Sequence, residues 1–303
     1  MPEKDLHRLP HFDDRLSFAY VEHATIDKYE KSVACHDAEG RTPIPAASLA
    51  LLMLGPGTKI THAAIVALAD CNCLVAWCGE QNVRFYAFGT GGTRSSAPLL
   101  RQAALVSEPA THLAVAKRMY AMRFEEPLDP SLSIQQLRGM EGRRVRDAYA
   151  EASARTGIPW TGRSYDRGQW DFTDPVNRAL SAANSCLYGV CHAAIVSVGY
   201  SPAIGFIHTG KQLSFVYDIA DLYKTEITIP LAFEQAADAA PDLERRVRLA
   251  CRDLFREHHL LDRIVPDIRK ALGVTPDEEE ADAVWQDDPA APASLWEPPE
   301  EVG

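Results

Sequence analysis

The sequence predicts an α+β fold in which a β-rich N-terminal domain is followed by a mainly α-helical domain. Residues 1–92 contain short apolar or alternating runs bounded by Gly, Asn and Glu, which is typical of strands. Residues 93–274 contain long segments with helical periodicity. Residues 275–303 are rich in Pro, Ala and acidic residues, a composition that predicts a disordered acidic tail.

The N-terminal domain is expected to consist of strands around one helix. The segment RLSFAYVEHATIDKYEKSVACHD alternates apolar and polar residues with a weak turn near Asp27, and NCLVAWCG and VRFYAFG are short strand-like runs. Between them, THAAIVALADC predicts a helix with Thr61 as its N-cap. The turn-forming stretch GTGGTRSSAP, residues 89–98, marks the domain boundary.

The clearest helix of the second domain lies in DPVNRALSAANSCLYGVCHAAIVSVGYSP. Asp174 suits the N-cap and Pro175 the first helical position, while Gly199 suits the end and Pro202 prevents continuation. The helix carries mostly apolar or small residues around its whole circumference, so we expect it to be the central buried helix. Residues 242–272 predict one or two further helices, beginning with the basic ERRVRLACRDLFR.

Composition is that of a soluble globular protein. Of the 303 residues, 46% are hydrophobic and 24% are charged. No apolar run approaches the ~18 residues needed to span a bilayer, and the start, MPEKDLHRLPHFDDRLSF, lacks the apolar stretch of a secretory signal. No membrane partner is therefore expected.

Cysteine usage indicates a cytoplasmic protein. The seven cysteines are an odd number spread through apolar segments, which favours reduced thiols over a disulfide framework. Cys71, Cys73 and Cys78 lie near His62, but they lack the paired C-x-x-C spacing of zinc knuckles. Buried reduced thiols are therefore favoured over a zinc site.

The net charge of −11 does not exclude a nucleic-acid partner, because the charge is unevenly distributed. Residues 276–303 hold ten acids and no Lys or Arg. The rest of the chain has 32 of the 42 acids against all 31 Lys and Arg residues. Since this body is near neutral, local basic patches decide what it attracts.

Two acids lie at the edge of an apolar helix face in HTGKQLSFVYDIADLYK. On a helical wheel, that face is formed by Phe215, Val216, Ile219, Leu222 and Tyr223. Asp218 and Asp221 lie side by side at its edge, where two like charges repel unless a cation is bound. The alternative is that Asp218 favours the helix dipole and Asp221 is solvated.

A third acid, Glu141, falls at the centre of an apolar stripe in SIQQLRGMEGRRVRDAYA. The stripe consists of Ile134, Leu137, Val145 and Ala148. A buried carboxylate needs a partner, which is either Arg138 or Arg144 or else a metal or catalytic group. Gly139 and Gly142 flank Glu141 and are costly inside a helix, which indicates close approach by another backbone or a ligand.

A histidine, His208, lies in a loop ten residues before the Asp pair. A lone His is often structural, but this one is placed to reach the same site. Glu, His and Asp together suit magnesium or manganese better than zinc. Such a site polarises a phosphoryl oxygen and neutralises charge in an in-line displacement.

Several segments resemble one protein family, the CRISPR-associated integrase of spacer acquisition, CRISPR-associated protein one, in its type I-E branch. They are LRGMEGRRVR, SCLYGV, SPAIGFIHTGKQLSFVYDIADLYK, VRLACRDLFR, LMLGPGTKITHAA and VAWCGEQNVRFYAFG. The resemblance runs from about residue 9 to residue 270. It implies a β-rich N-terminal domain, an α-helical catalytic domain and a homodimer.

The resemblance also implies an assembly and an activity. Two such dimers clamp a dimer of the small CRISPR-associated protein two, which gives a four-plus-two complex. The complex captures a forked or double-stranded prespacer fragment of DNA. It joins the fragment's 3′-hydroxyls to the CRISPR leader-repeat by transesterification, with positioning and charge neutralisation supplied by the protein.

The family's site residues correspond to residues already singled out. Its metal ligands match Glu141, His208 and Asp221, and a further acid of the site matches Asp218. Magnesium or manganese is the implied cofactor. His208 either binds the metal or also transfers a proton. Of the two aspartates, Asp221 is the expected direct ligand.

DNA contacts are expected from basic and aromatic residues in the matching motifs. The basic set, which would contact phosphates, is Lys59, Arg84, Arg138, Arg163, Lys211, Arg245 and Arg248. The aromatic set, which resembles the pocket near the DNA end, is Tyr165, Trp170, Tyr188 and Tyr217. The alternatives are ordinary surface bases and packing aromatics.

One departure from the family concerns the fork where the DNA strands separate. Members of this branch brace it with a tyrosine, whereas the matching position here is His23, with Tyr20 nearby. For the acidic tail, one hypothesis is that Trp285 or Trp296 docks on the body or a neighbouring subunit while the acids compete with DNA. The simpler alternative is a solvated end.

Two other functions use the same residues. One is a stand-alone, structure-selective DNA endonuclease that acts on branched DNA in repair. The other is a non-catalytic DNA-end-binding scaffold, which the presence of Glu141, His208, Asp218 and Asp221 argues against.

Overall fold

The computed structural model describes residues 18–79, 85–89, 96–163 and 174–275. The N-terminal part holds eight strands among these residues: β1 Ala19–Val21, β2 Thr25–Tyr29, β3 Ser32–Asp37, β4 Gly40–Ile44, β5 Leu51–Leu54, β6 Lys59–Ile60, β7 Leu74–Cys78 and β8 Phe85–Gly89. The helix α1, His62–Asp70, lies between β6 and β7. The side chain of Thr61 accepts a hydrogen bond from the Ala64 N–H, which confirms the predicted cap.

The strands form two four-stranded sheets, in the orders β1-β5-β7-β8 and β4-β3-β2-β6. The predicted turn near Asp27 is wrong, because Asp27 lies inside β2 and pairs with Ala34 of β3. The hairpin instead turns after Tyr29, where Glu30 has a φ of 53°. The Asp27 carboxylate accepts a 2.7 Å hydrogen bond from the Thr61 hydroxyl and ties the hairpin to the start of α1.

The sheet that contains β5 is packed on both faces. Leu51 and Met53 belong to the large core shared with the helices, whereas Leu52 and Leu54 belong to the smaller core under β2, β3 and α1. This alternation is the period-two pattern of a strand between two layers. The N-terminal sheet therefore forms the support on which the helical part packs.

After β8 the chain is helical. The helices are α2 Ala97–Ser107, α3 Pro109–Ala121, α4 Ile134–Thr156, α5 Pro175–Ser197, α6 Ser214–Ala220, α7 Ile229–Ala237, α8 Leu243–Glu257 and α9 Leu260–Leu272, with a π-helical turn at Lys224–Thr228 before α7. This arrangement confirms the predicted α+β fold. The limits at residues 92 and 274 stay predictions.

The predicted central helix is confirmed as α5. The Asp174 side chain accepts a hydrogen bond from the Asn177 N–H, Pro175 is the first helical residue, and the helix ends at Ser197, just before Gly199. Among the described residues, α5 is the one helix long and apolar enough to cross a membrane, and 83% of its most apolar window is buried inside the protein. Because α5 contacts α6, α7, α8 and α9, the loop and helices that follow it are arranged around a rigid core.

Candidate active site

Asp218 organises the loop that precedes α6. Its side chain is fully buried, at 0% exposure. One carboxylate oxygen accepts the N–H groups of Phe206 and Ile207 at 2.6 and 3.1 Å, and the other accepts the His208 N–H at 2.8 Å. Three backbone donors on one carboxylate fix the path of residues 206–208. The interpretation of Asp218 as a helix-dipole charge is therefore wrong.

The same carboxylate orients the ring of His208. His208 Nδ1 lies 2.7 Å from Asp218 Oδ1, so Nδ1 carries the hydrogen and donates it. In a neutral ring the lone pair then belongs to Nε2, which lies 3.8 Å from Asp221 Oδ2. A carboxylate that fixes the tautomer of a His in this way is the usual second layer of a metal site.

Close packing at Gly205 holds the His208 loop against α6. A Cβ atom at Gly205 would lie 2.8 Å from Ser214 Cβ and 2.9 Å from Ser214 C, and closer still to the His208 carbonyl oxygen. These contacts leave no room for a side chain. Glycine is thus required here by close approach of backbone to backbone.

Gly205→Ala is accordingly expected to lower the melting temperature by about 5 °C, since overpacking costs ~1–3 kcal/mol. It should also displace His208 and reduce, at least about tenfold, the DNA-end joining that the family resemblance implies. Gly139→Ala is the control for stability, because nothing lies within 4 Å of a Cβ there. Thermal unfolding and a joining assay measure the two effects, and an unchanged Gly205→Ala protein would contradict the packing argument.

Asp221 lies directly after α6 and is held by two cations. Lys224 Nζ is 2.6 Å from Asp221 Oδ1, and Arg123 Nη2 is 3.6 Å from Oδ2. Burial alone raises the pKa of Asp221, but the charges of Lys224 and Arg123 outweigh it and lower the pKa below the ordinary value. The carboxylate is thus kept ionised.

The predicted helix through Tyr223 is wrong in its end, since α6 stops at Ala220 and the π-helix begins at Lys224.

Glu141 reaches the site from α4. The helix begins with a capping box between Ser133 and Gln136. The side chain of Glu141 is 13% exposed and contacts two arginines: Arg144 Nε at 3.0 Å from Oε2, and Arg123 Nη1 at 3.1 Å from Oε1. Arg144 was one of the partners expected from the sequence. It also donates a 2.6 Å hydrogen bond to the hydroxyl of Thr225, which links α4 to the π-helix.

Sequence reasoning missed two site residues, Lys224, which contacts Asp221, and Arg123. Arg123 lies just after α3, its side chain is 3% exposed, and its two terminal nitrogens contact Glu141 and Asp221. The available signal was a single cation in the apolar run MYAMRF.

The expectation of close approach at Gly139 and Gly142 finds no support from the described residues. Nothing lies within 4 Å of a Cβ placed at Gly139, and a Cβ placed at Gly142 would meet only Arg146 Nη1, at 3.6 Å.

Two of the predicted aromatic residues line the same site. The rings of Tyr188 and Tyr217 meet edge to face with centroids 5.0 Å apart, and Tyr217 lies 5.9 Å from the His208 ring. Lys224 Nζ lies 4.8 Å from the centre of the Tyr188 ring. Burial alone lowers the pKa of Lys224, but Asp221 and Tyr188 raise it above its ordinary value, so Lys224 stays charged. Tyr217 thus lies beside His208, and Tyr188 lies beside Tyr217 and Lys224.

Glu141, Asp221 and His208 are suitable ligands for a divalent cation, but in this structure Arg123 and Lys224 contact the two carboxylates. Two carboxylates and an imidazole nitrogen with a free lone pair are the ligands that magnesium or manganese accepts. In the part of the chain that the structure describes, no three His, Cys, Asp or Glu side chains are gathered closely enough to hold a metal ion. Arg123 contacts Glu141 and Asp221 instead. The residues fit the group in chemistry, and the metal-ligand assignment stays a prediction.

The other predicted DNA-binding residues are dispersed. Lys59, Arg138 and Lys211 are exposed, and Arg138 lies one turn before Glu141. The guanidinium of Arg163 donates to Asn177 at 3.0 Å and to Ser181 at 3.1 Å, which packs it against the start of α5. Arg84, Tyr165 and Trp170 lie outside the described residues.

Arg245 and Arg248 line a groove of about 1110 Å³ between α8 and the N-terminal strands. Arg245 is exposed, but Arg248 is only 8% exposed and stacks 4.3 Å from the centre of the Tyr20 ring. Arg248 is thus not an ordinary surface base.

His23, the expected fork residue, is exposed and has a φ of 51°. Its role at a DNA fork stays a prediction.

Comparisons with known proteins agree on one family. The model of the family described as "CRISPR associated protein Cas1" matches residues 122–239, which include Arg123, Glu141, His208, Asp218 and Asp221. A Thermus thermophilus protein named "CRISPR-associated endonuclease Cas1 2" is 53% identical over 297 residues, which are 97% of this chain and 90% of the relative.

Solved structures are similar as well. The one described as "Crystal structure of TtCas1-DNA complex" has a TM-score of 0.81 and 50% identity, and the match covers 94% of this chain and 98% of that chain. The one described as "Casposase bound to integration product" has a TM-score of 0.65 and 12% identity, over 86% of this chain and 92% of the other. At that identity the second similarity concerns the fold alone.

Proposed function

The chain belongs to the CRISPR-associated protein Cas1 family, and we propose that it is a metal-dependent DNA integrase of CRISPR adaptation. The observation that carries the proposal is that Arg123 contacts both Glu141 from α4 and Asp221 from the end of α6, while His208 Nε2 lies 3.8 Å from Asp221. The relatives are named CRISPR-associated endonucleases, and one similar Cas1 is solved with DNA. These names support chemistry on DNA phosphodiesters.

Charge in the site supports a phosphodiester substrate. The described residues linked by ion pairs at the site include three carboxylates, Glu141, Asp218 and Asp221, and three cations, Arg123, Arg144 and Lys224, with Asp218 joined to the others through a neutral His208. The set is neutral without a metal, so a divalent cation makes it doubly positive. That charge matches the negative charge on the phosphoryl oxygens during phosphoryl transfer.

The proposed reaction exchanges one phosphodiester for another. The 3′-hydroxyl oxygen of the captured fragment loses its proton and forms a bond to a phosphorus atom of the array. The bond from that phosphorus to its former 3′-oxygen breaks, and the released oxygen takes up a proton to become a 3′-hydroxyl. The number of phosphodiester bonds is unchanged, so no energy-rich cofactor is needed. The nucleophile belongs to DNA, and no Ser, Tyr or Cys of the protein has to form a covalent intermediate.

A magnesium or manganese ion held by Glu141, His208 and Asp221 would polarise the phosphoryl oxygens. The remaining residues position these groups. Asp218 fixes the His208 tautomer, and Arg144 ties Glu141 to the π-helix through Thr225. Tyr188 and Tyr217 present aromatic faces and edges beside His208, where an unpaired base at a DNA end can stack.

We extend the proposal to the partners implied by the family resemblance. They are DNA, as a forked or double-stranded prespacer fragment and as the leader-repeat, a second copy of this chain, and the small CRISPR-associated protein two. Exposed Lys59, Arg138, Lys211 and Arg245 are available for phosphate contacts. Arg248 is proposed to act mainly by supporting the groove, since it is buried against Tyr20.

A joining assay tests the proposed function. The protein and its small partner are mixed with forked DNA and a supercoiled array plasmid, with magnesium or manganese or with a chelator. We expect 3′-end joining at the leader-proximal repeat that depends on the metal. Metal-dependent cutting of branched DNA without joining would favour the stand-alone endonuclease. DNA binding without either reaction would favour the scaffold.

A further inference from the structure

Arg123 is buried in the candidate active site with part of its hydrogen-bonding capacity unused. Its side chain is 3% exposed. Nη1 donates to Glu141 at 3.1 Å, whereas Nε and Nη2 are buried without a hydrogen-bond partner among the described residues. Nη2 lies 3.6 Å from Asp221, which is an ion pair but not a hydrogen bond. An arginine is rarely buried unless its charge is paired.

Arg123 contacts the same two carboxylates that the proposed function assigns to a metal ion. Glu141 comes from α4 and Asp221 from the end of α6, and two half-buried carboxylates held by one guanidinium repel each other. The guanidinium bridges them and offsets that repulsion in the metal-free protein. Its place is fixed from behind, because it stacks 5.1 Å from the centre of the Tyr120 ring.

We propose that Arg123 is a built-in counter-cation, which stabilises the metal-free site and competes with the divalent cation for Glu141 and Asp221. This inference rests on the proposed function, because it assumes that these carboxylates bind a metal. It deepens that function by naming the residue that sets metal affinity. Since Arg123 and the metal satisfy the same carboxylates, each reduces the stabilisation that the other provides.

Two consequences follow from this competition. Removing the guanidinium should destabilise the protein in the absence of metal, because the carboxylates are left without their shared partner. It should also tighten metal binding, because no protein cation has to give up its contacts. A purely structural arginine would produce the first effect without the second.

The test uses the full chain and Mn²⁺ alone as the probe. Arg123→Met keeps the length of the side chain and removes its charge, and Arg123→Lys keeps the charge but cannot bridge both acids. We expect Arg123→Met to melt about 5 °C or more below the wild type in chelator. We expect it to bind Mn²⁺ about tenfold more tightly, by calorimetry or by the electron paramagnetic resonance signal of free Mn²⁺. Both the melting temperature and the Mn²⁺ affinity of Arg123→Lys should lie between those of the wild type and Arg123→Met.

Two further variants isolate the cause. In Arg123→Met with Glu141→Gln, one carboxylate is neutral, so the melting temperature in chelator should recover while the gain in Mn²⁺ binding is lost. Arg155→Met removes an exposed arginine paired with Glu234 and should change neither quantity.

The outcomes separate this inference from the proposed function. A melting deficit that Mn²⁺ reverses, together with tighter binding, supports the role of Arg123. Equal Mn²⁺ affinity in the wild type and Arg123→Met, with a deficit that persists at saturating Mn²⁺, overturns that role alone. Failure of both proteins to bind Mn²⁺ or Mg²⁺ overturns the metal site and with it the proposed function.

Discussion

Asp221→Asn is expected to reduce 3′-end joining by about a thousandfold or more. A metal ion at a phosphoryl centre supplies several kcal/mol of transition-state stabilisation, and ~4 kcal/mol corresponds to that factor. The amide keeps the shape of the side chain but removes the negative charge that faces Lys224 and Arg123. Joining is measured with the small partner, forked DNA and saturating magnesium or manganese.

The matched control for this variant is Glu234→Gln, which neutralises an exposed carboxylate paired with Arg155. Its joining rate should equal that of the wild type, since exposed ion pairs contribute ~0–1 kcal/mol to stability. Joining by Asp221→Asn at more than about a tenth of the wild-type rate would refute the assignment of Asp221 as a ligand.

The same substitution should change the response to acid. The pKa of Asp221 in the folded protein lies below its ordinary value of 3.8, so the ionised carboxylate contributes stability at higher pH. That contribution is lost as the pH falls from about 4 through the lowered pKa. Thermal unfolding of the wild type should therefore weaken more steeply below pH 4 than that of Asp221→Asn.

The parts of the fold set by local sequence were predictable. Thr61 and Asp174 each cap a helix where the sequence places a polar residue before an apolar run. Glu141 was recognised because a carboxylate interrupts the apolar stripe of one helix. These signals lie within one segment, so they do not depend on which segments meet in the folded protein.

The remaining features depend on contacts between segments. Arg123 lies 18 residues from Glu141 in the sequence and acquires its role only because α3 ends beside α4 and α6. A helical wheel placed Asp218 at an edge, whereas the loop of residues 206–208 folds around it and buries it. Arg248 is buried for the same reason, since the ring of Tyr20 comes from β1. Helical periodicity carries no information about such partners.

Asp218→Asn is expected to disable the protein by a different route from Asp221→Asn. The two oxygens of Asp218 accept N–H groups from Phe206, Ile207 and His208, as well as the His208 ring hydrogen. In asparagine one oxygen becomes an NH₂ group, which faces donors in either orientation. A buried site with donors opposed to donors loses the bonds and keeps the desolvation cost, ~3 kcal/mol or more.

The expected results are a melting temperature lower by about 5 °C or more and joining reduced about a hundredfold. Because Asp218 acts through His208, Mn²⁺ affinity should fall by about ten- to a hundredfold, less than in Asp221→Asn. Glu244→Gln is the control, since Glu244 is also buried and pairs with Arg178 at 2.6 Å away from the site. Glu244→Gln should have a lower melting temperature than the wild type. Its joining rate, measured well below that melting temperature, should equal that of the wild type.

The comparison of these two buried acids decides what Asp218 does. If the joining defect of Asp218→Asn disappeared at a temperature where the variant is fully folded, the role of Asp218 would be structural only. If Mn²⁺ binding were abolished as completely as in Asp221→Asn, Asp218 would be a ligand itself. The geometry favours neither outcome, because all four contacts of the carboxylate go to the loop and ring of His208. Asp218 therefore positions His208, the residue that the proposed function assigns to the metal ion.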